Sequence, residues 1–321
     1  MEQMSGADAL VATPESAALS GPGYAHRVEW FGHVYAHATP GAPDVALLHD
    51  DDARTDTFLT TPSEAVFYGD AFYNAAESFR YVHAYSTPGG TDVALLYDDP
   101  AAQDSFQAWP QVARFFGAGF YNRVKSFRYV HAYATEGGRD VAQLYDDPEG
   151  QDTFQAWPDV ARLFGAGFYN RVKSFDYVHA YGSPNGKDVA LLYDSAGKDI
   201  FEAWPDVARM FGAGFYNRVK SFRYVHGYAT PGGDDVARLY DSPGKDTFQA
   251  WPNVARLFGA GFYNRVKSFA HVQASATQGG GDRAELFDSA LNDLLEADGD
   301  WARLSNADLG FANLAVAFEL V

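Results

Sequence analysis

The chain has 321 residues, of which 47% are hydrophobic and 16% aromatic, a composition that argues against disorder. Cysteine is absent, which excludes disulfides, zinc–thiolate sites and thiol catalysis. A net charge of −18 argues against nucleic acid as a partner and leaves divalent cations as suitable counter-ions.

The first residues, MEQMSGADALVATPESAAL, lack the basic and apolar regions of a signal peptide, and no run of 18 apolar residues follows anywhere. Residues 1–30 read as an Ala- and Ser-rich, degenerate copy of what comes next and are expected to form an N-terminal cap. From there the chain repeats. A landmark Phe falls at Phe31, Phe79, Phe127, Phe175, Phe222 and Phe269, at spacings of 48, 48, 48, 47 and 47. The nonapeptide GFYNRVKSF stands at 119–127, 167–175, 214–222 and 261–269. Residues 31–291 form the repeat array, and 292–321, where the aromatic pattern is lost, are expected to cap its far end. The apolar terminal strand LAVAFELV either closes the core or pairs with another molecule.

A shorter period lies inside the long one. When 127–150 is laid on 151–174, Val130 meets Phe154, Tyr133 meets Trp157 and Leu144 meets Phe168. A Tyr-Asx pair, with Phe287 in place of Tyr at the last position, places its second member at Asn74, Asp98, Asn122, Asp146, Asn170, Asp194, Asn217, Asp241, Asn264 and Asp288, every step being 24 or 23 residues. Blades of a β-propeller would match the long period but need no half-repeat. A parallel β-solenoid (β-helix) with about 24 residues per coil, two coils per repeat, accounts for both, and this all-β fold is the expected one. Its residues 24 apart would be stacked neighbours. The column Asp56, Arg80, Asp104, Arg128, Asp152, Asp176, Asp199, Arg223, Asp246 alternates in sign but for Asp176, as stacking requires.

Alternation along RYVHAYA and DVAQLYD puts Val130, Ala132, Ala134, Ala142 and Leu144 inside the coil, joined by Phe154, Ala156, Ala166 and Phe168. Turns are expected at TEGGR, DPEGQ, WPD and NRVK, with glycine or proline in the first three.

Three groups of residues could carry chemistry. The acidic turns hold Asp98, Asp99 and Asp104, then Asp146, Asp147, Glu149 and Asp152, the oxygen-rich clusters that calcium takes, set against the plainer reading of solvated, salt-bridged turns. His83, His131, His179 and His226 alternate at the half-step with Gln107, Gln155, Glu202 and Gln249, which reads as a structural hydrogen-bond ladder. Tyr85, Trp109, Tyr133, Trp157, Tyr181, Trp204, Tyr228 and Trp251 form an aromatic column that would bind a sugar ring or a protein if it faces outward, or pack at a corner of the coil if it does not. No nucleophile elbow, H-E-x-x-H or phosphate-binding loop occurs, so no enzyme is expected, and no cofactor other than calcium.

The phrases LYDS-x-G-x-D-x-F and GFYN-x-V-x-SF resemble the tandem repeat arrays of large secreted or surface-attached bacterial proteins, distantly like RTX regions. The resemblance covers nearly the whole chain. It implies an extracellular or cell-surface, non-catalytic structural or adhesive module that presents a periodic surface for multivalent binding, or that self-associates through its terminal coils. The tandem G-G-x-G-x-D nonapeptide of a true RTX roll is missing, so calcium binding does not come with the likeness. The competing reading is a carbohydrate- or calcium-binding module built on the aromatic columns or acidic turns, or a propeller that binds a small ligand. A protein or glycan surface is the expected partner, with no membrane span.

Overall fold

The computed structural model describes residues 7–50, 54–87, 90–135, 137–184 and 186–321, and every element among them is a β-strand. Residues 1–6 of the expected N-terminal cap and Glu136 of the TEGGR turn lie outside the described residues. The chain divides into two compact units, Met1–Tyr145 with Gly167–Phe175, and Asp146–Ala166 with Asp176–Val321.

Each repeat contains two short strands that alternate apolar and polar residues, followed by a three-stranded antiparallel meander. In the first unit one repeat runs through Tyr81–Tyr85 and Val93–Tyr97, then Ser105–Ala108, Val112–Gly117 and Phe120–Lys125. The strands cross back and forth between two sheets. One sheet of this unit orders Tyr24–Glu29, Ser16–Gly21, Ala9–Ala12, Val45–His49, Tyr81–Tyr85, Phe120–Lys125, Val112–Gly117, Ser105–Ala108 and Val141–Tyr145. The other carries the Thr57–Glu77 meander between His33–His37 and Val93–Tyr97, and continues through Tyr129–Tyr133 to Phe168–Lys173. The second unit is built alike, with meanders at 200–220 and 294–316 in one sheet and at 247–267 in the other.

The fold is therefore a parallel β-solenoid, but its coil is longer than the half-repeat suggests. Val93 pairs with Tyr129 and Ser105 with Val141, 36 residues apart, whereas Tyr81 pairs with Tyr121, 40 apart. Where the shorter turns DSAGKD and DSPGKD intervene, the spacings fall to 35 and 39, as in Val189 with Tyr224 and Tyr224 with Tyr263. The 24-residue coil is thus corrected to about 36. The difference is the meander. NRVK is not a turn but part of the strand Phe168–Lys173, and the reversal lies at Ala166-Gly167, with Gly167 at φ +84°. Ala166, expected inside, stands exposed at that hairpin tip. The other expected core residues, from Val130 to Phe168, are buried.

Phenylalanine fills the core. Phe58, Phe106, Phe154, Phe201 and Phe248, one from the first strand of each meander between 57 and 267, are inaccessible to solvent. In the first unit Phe127 lies against Phe58 and Phe67, and Phe175 repeats this against Phe106 and Phe115, with ring centroids 5.6–6.2 Å apart. The residue ahead of each landmark Phe has left-handed backbone, Ser126 at φ +69° and Ser174 at +63° for example, which turns the chain sharply from one sheet to the other.

Candidate metal centre

The acidic turns close the coils, and they do so with carboxylates in place of backbone partners. After the strand Val93–Tyr97 the chain reverses through DDPAAQD. The Asp99 amide donates to Asp104 Oδ2 at 2.7 Å, and the Asp104 amide donates to Asp140 Oδ1 at 2.8 Å, 36 residues on. Asp98 takes the amide and hydroxyl of Thr135 at 2.8 and 3.0 Å. The second unit repeats the arrangement. There Asp152 accepts from the Asp147 amide at 2.6 Å, Asp188 from the Asp152 amide at 2.8 Å, and Asp146 from the Ser183 amide and hydroxyl at 2.6 and 2.9 Å.

Among the described residues four groups of three buried aspartates result: Asp50, Asp56 and Asp92; Asp98, Asp104 and Asp140; Asp146, Asp152 and Asp188; Asp194, Asp199 and Asp235. In each, one oxygen per residue lies within 4.8 Å of the other two. Asp104, Asp152 and Asp199 are each at most 1% exposed, and the Oδ1 of each has no hydrogen-bond partner. Asp104 Oδ1 is pressed against the end of a meander strand. A Cβ at Gly117 would fall 1.6 Å from it and 2.9 Å from the Phe120 ring, so only glycine fits there.

Burial disfavours these charges, and the neighbouring carboxylates add to the effect. Asp146 is pushed up to about 6, mainly by burial, with Asp188 beside it and the Ser183 hydroxyl opposing. Asp152 and Asp194 also reach about 6, each chiefly through burial. Asp104 and Asp235 are raised for the same reason. Three close, buried carboxylates need protons or a cation. A hard divalent ion suits an all-oxygen donor set at these separations.

Of the acidic residues singled out in the sequence, Asp98, Asp104, Asp146 and Asp152 enter these groups. Asp99, Asp147 and Glu149 do not. Asp99 caps Ala101 at 3.0 Å, Asp147 caps the Glu149 amide at 3.1 Å, and Glu149 is exposed. Sequence reasoning missed Asp92, Asp140, Asp188 and Asp235. Their signal was the fixed position of an aspartate at the close of each glycine-bearing turn, directly before the next strand.

The Tyr-Asx ladder splits into two functions rather than one stack. Asn74, Asn122, Asn170, Asn217 and Asn264 are buried and each donates Nδ2 to a distant carbonyl, Asn170 to Trp109 at 3.1 Å and Asn217 to Trp157 at 3.0 Å. Asp98, Asp146, Asp194 and Asp241 instead cap turns, and Asp288 is exposed. The alternating-charge column is not formed either. Asp56, Asp104, Asp152 and Asp199 belong to the aspartate groups, while Arg80, Arg128 and Arg223 lie over the rings of Tyr81, Tyr129 and Tyr224. Likewise His83 and His131 face Arg123 and Arg171 rather than glutamines, and burial lowers both imidazoles.

The aromatic residues do stack, but with partners 35 or 36 residues away. His49 lies on Tyr85, Tyr97 on Tyr133, Trp109 on Tyr145, Trp157 on Tyr193, Tyr193 on Tyr228, Trp204 on Tyr240 and Trp251 on Phe287, at 4.5–5.0 Å and 3–14° between planes. Tyr181 ends the strand Tyr177–Tyr181, opposite Lys220. The rings are half-buried, and guanidinium groups lie 5.4–5.5 Å over Trp109, Trp157, Trp204 and Trp251. Ring faces are thus taken by other rings or by arginine, which leaves edges for solvent.

No family model matches the chain, and no curated protein or solved structure is similar to it. Among the described residues no helix is long and apolar enough to cross a membrane.

Proposed function

We propose that the chain is a non-catalytic structural module of an extracellular bacterial protein, a repeat scaffold whose coil turns take calcium and whose surface offers one motif at regular intervals. The observation that supports the reading is the recurrence, among the described residues, of three close, buried aspartates in four successive repeats, at positions fixed by the fold. Such sites tie successive coils together. Asp146 and Asp152 come from one turn and Asp188 from the turn of the next coil, and a cation held by them adds to the amide–carboxylate hydrogen bonds that already join those two turns. Repetition lets weak contacts to a partner add along the array.

Calorimetry with calcium chloride on the intact chain tests the cation. Binding whose stoichiometry falls in Asp152→Asn plus Asp199→Asn, which alters two of the four groups, is expected. Absence of both binding heat and thermal stabilisation overturns the reading. A glycan array is expected to stay silent, because the ring faces that would stack on sugars are occupied; a signal lost when Trp109, Trp157, Trp204 and Trp251 become Ala would point to carbohydrate instead.

A further inference from the structure

Two arginines of one meander stand directly against each other, and the contact recurs. In the first unit Arg114 of Val112–Gly117 is paired with Arg123 of Phe120–Lys125, and the strand beyond presents His83 to Arg123. In the second unit Arg209 faces Arg218, which faces His179, and Arg256 faces Arg265, which faces His226. The Ser126 amide donates to the Gln111 carbonyl at 2.8 Å, and counting inward from that bonded pair makes Arg114 and Arg123 a non-hydrogen-bonded pair, the kind whose side chains come closest across an antiparallel ladder. The same count holds from Ser221 to Asp206 and from Ser268 to Asn253, at 2.8 and 2.9 Å. Like charges directly opposite one another destabilise a sheet.

The surrounding strands do not offset them. Val45–His49, Tyr81–Tyr85, Phe120–Lys125, Val112–Gly117, Ser105–Ala108 and Val141–Tyr145 are successive neighbours in the first unit, and they carry no aspartate or glutamate although the chain has 42. Arg114 donates its Nε to neutral Gln107 at 2.7 Å. In the second unit Glu202 accepts from Arg209 at 2.7 Å and from Arg238 at 3.0 Å, and none of its oxygens is left for Arg218. Among the described residues no hydrogen bond or ion pair reaches the guanidinium of Arg123, Arg218 or Arg265, and the first and last lie 6.0 Å over the rings of Tyr85 and Tyr228. Two residues further along the same face stand Lys125, Lys220 and Lys267, all exposed, with Lys220 3.9 Å from Asp206.

We infer that this outer face binds a tetrahedral dianion, sulfate or phosphate, between Arg123, Lys125 and Arg114, and again at the arginine pairs 209/218 and 256/265. A guanidinium presents its donors as a planar fork that matches two oxygens of such an anion. A dianion offsets both facing charges, which one chloride does not. The aromatic ring faces nearby are already covered, so the group bound is the anion itself. No member of the aspartate groups takes part, and the inference is independent of the cation reading.

Isothermal titration with sodium sulfate and, separately, sodium phosphate tests it, in EDTA and with ionic strength held constant by sodium chloride. Saturable binding is expected, and the anion that binds more tightly names the ligand. With Arg123, Arg171, Arg218 and Arg265 all changed to Gln, affinity should fall at least tenfold, and the variant should melt no lower than the native chain in chloride because the facing charges are gone. Lys125→Gln, Lys220→Gln and Lys267→Gln together change only exposed side chains and should weaken binding severalfold. No saturable heat with either anion, lysine variants that bind as the native chain does, or an arginine variant that melts well below it in chloride would each overturn the inference.

Discussion

The amide of Asp152 donates to Oδ1 of Asp188 at 2.8 Å, so a carboxylate ties two coil turns together at a point where other folds use a carbonyl. Asp188 also lies beside Asp146 and Asp152, and the three share one buried site. The cost of that arrangement is repulsion among close charges, and it governs how the module responds to pH and metal.

Without metal, stability should fall as pH rises through 6. Asp146, Asp152 and Asp194 have folded values of about 6, above an unfolded value of about 3.9, so their contribution is complete below pH ~4 and is lost as pH climbs through 6. His83, His131, His179 and His226 are lowered and act in the opposite sense, losing stability as pH falls through ~6.5. A comparison with Asp152→Asn cancels the histidines. In EDTA the variant should match the native chain near pH 4 and exceed it near pH 8, by on the order of 2 kcal/mol. Thermal melts at both pH values measure the difference, and equal melting at pH 8 would contradict it.

Calcium should reverse that ranking. Binding needs ionised carboxylates, so the melting temperature gained on adding calcium should be small near pH 5 and grow toward pH 8. In Asp152→Asn the gain should shrink at high pH. Differential scanning calorimetry with and without calcium reads both.

Gly117→Ala should destabilise the chain strongly. The added methyl would lie 1.6 Å from Asp104 Oδ1, and neither the buried carboxylate nor the strand can retreat easily. A loss of about 2–4 kcal/mol is expected. Ala118→Gly, next along the same hairpin but exposed, should cost well under half as much. Denaturant titration of both variants distinguishes a close-approach requirement from general sensitivity of the hairpin.

Asn170→Leu should cost about 1–3 kcal/mol, because it removes the buried side chain that donates to the Trp109 carbonyl at 3.1 Å. Phe154→Ala removes a fully buried ring and should cost about 3–5 kcal/mol. Urea midpoints rank the two, and a surface-like effect at Asn170 would show that the carbonyl finds another partner.

Repetition and strand alternation made the all-β solenoid legible, together with nearly every core residue from Val130 to Phe168. The coil length was not. Tyr145-Asp146 and Tyr169-Asn170 look alike in sequence, yet the first pair ends a strand at a turn and the second lies inside a strand paired with Val130. Similar letters serve different geometry because both sites need a buried polar side chain beside a tyrosine. The hairpin at Ala166-Gly167 was hidden because Ala166 aligns with the core residue Ala142 when 127–150 is laid on 151–174. The aspartate groups were half visible. Members within one acidic turn stood out, while Asp140 and Asp188 arrive from turns 36 residues further on, a distance set by the pairing register.

Each repeat changes sheet three times, between its two short strands, before its meander and after it. Within the first unit the meanders of 9–29, 57–77 and 105–125 accordingly fall on alternate sheets. Duplication or loss of a single repeat would therefore deliver whatever follows to the opposite side, whereas a change by two would preserve its facing. Evolution of such an array is subject to an even–odd rule: copy number sets orientation as well as length.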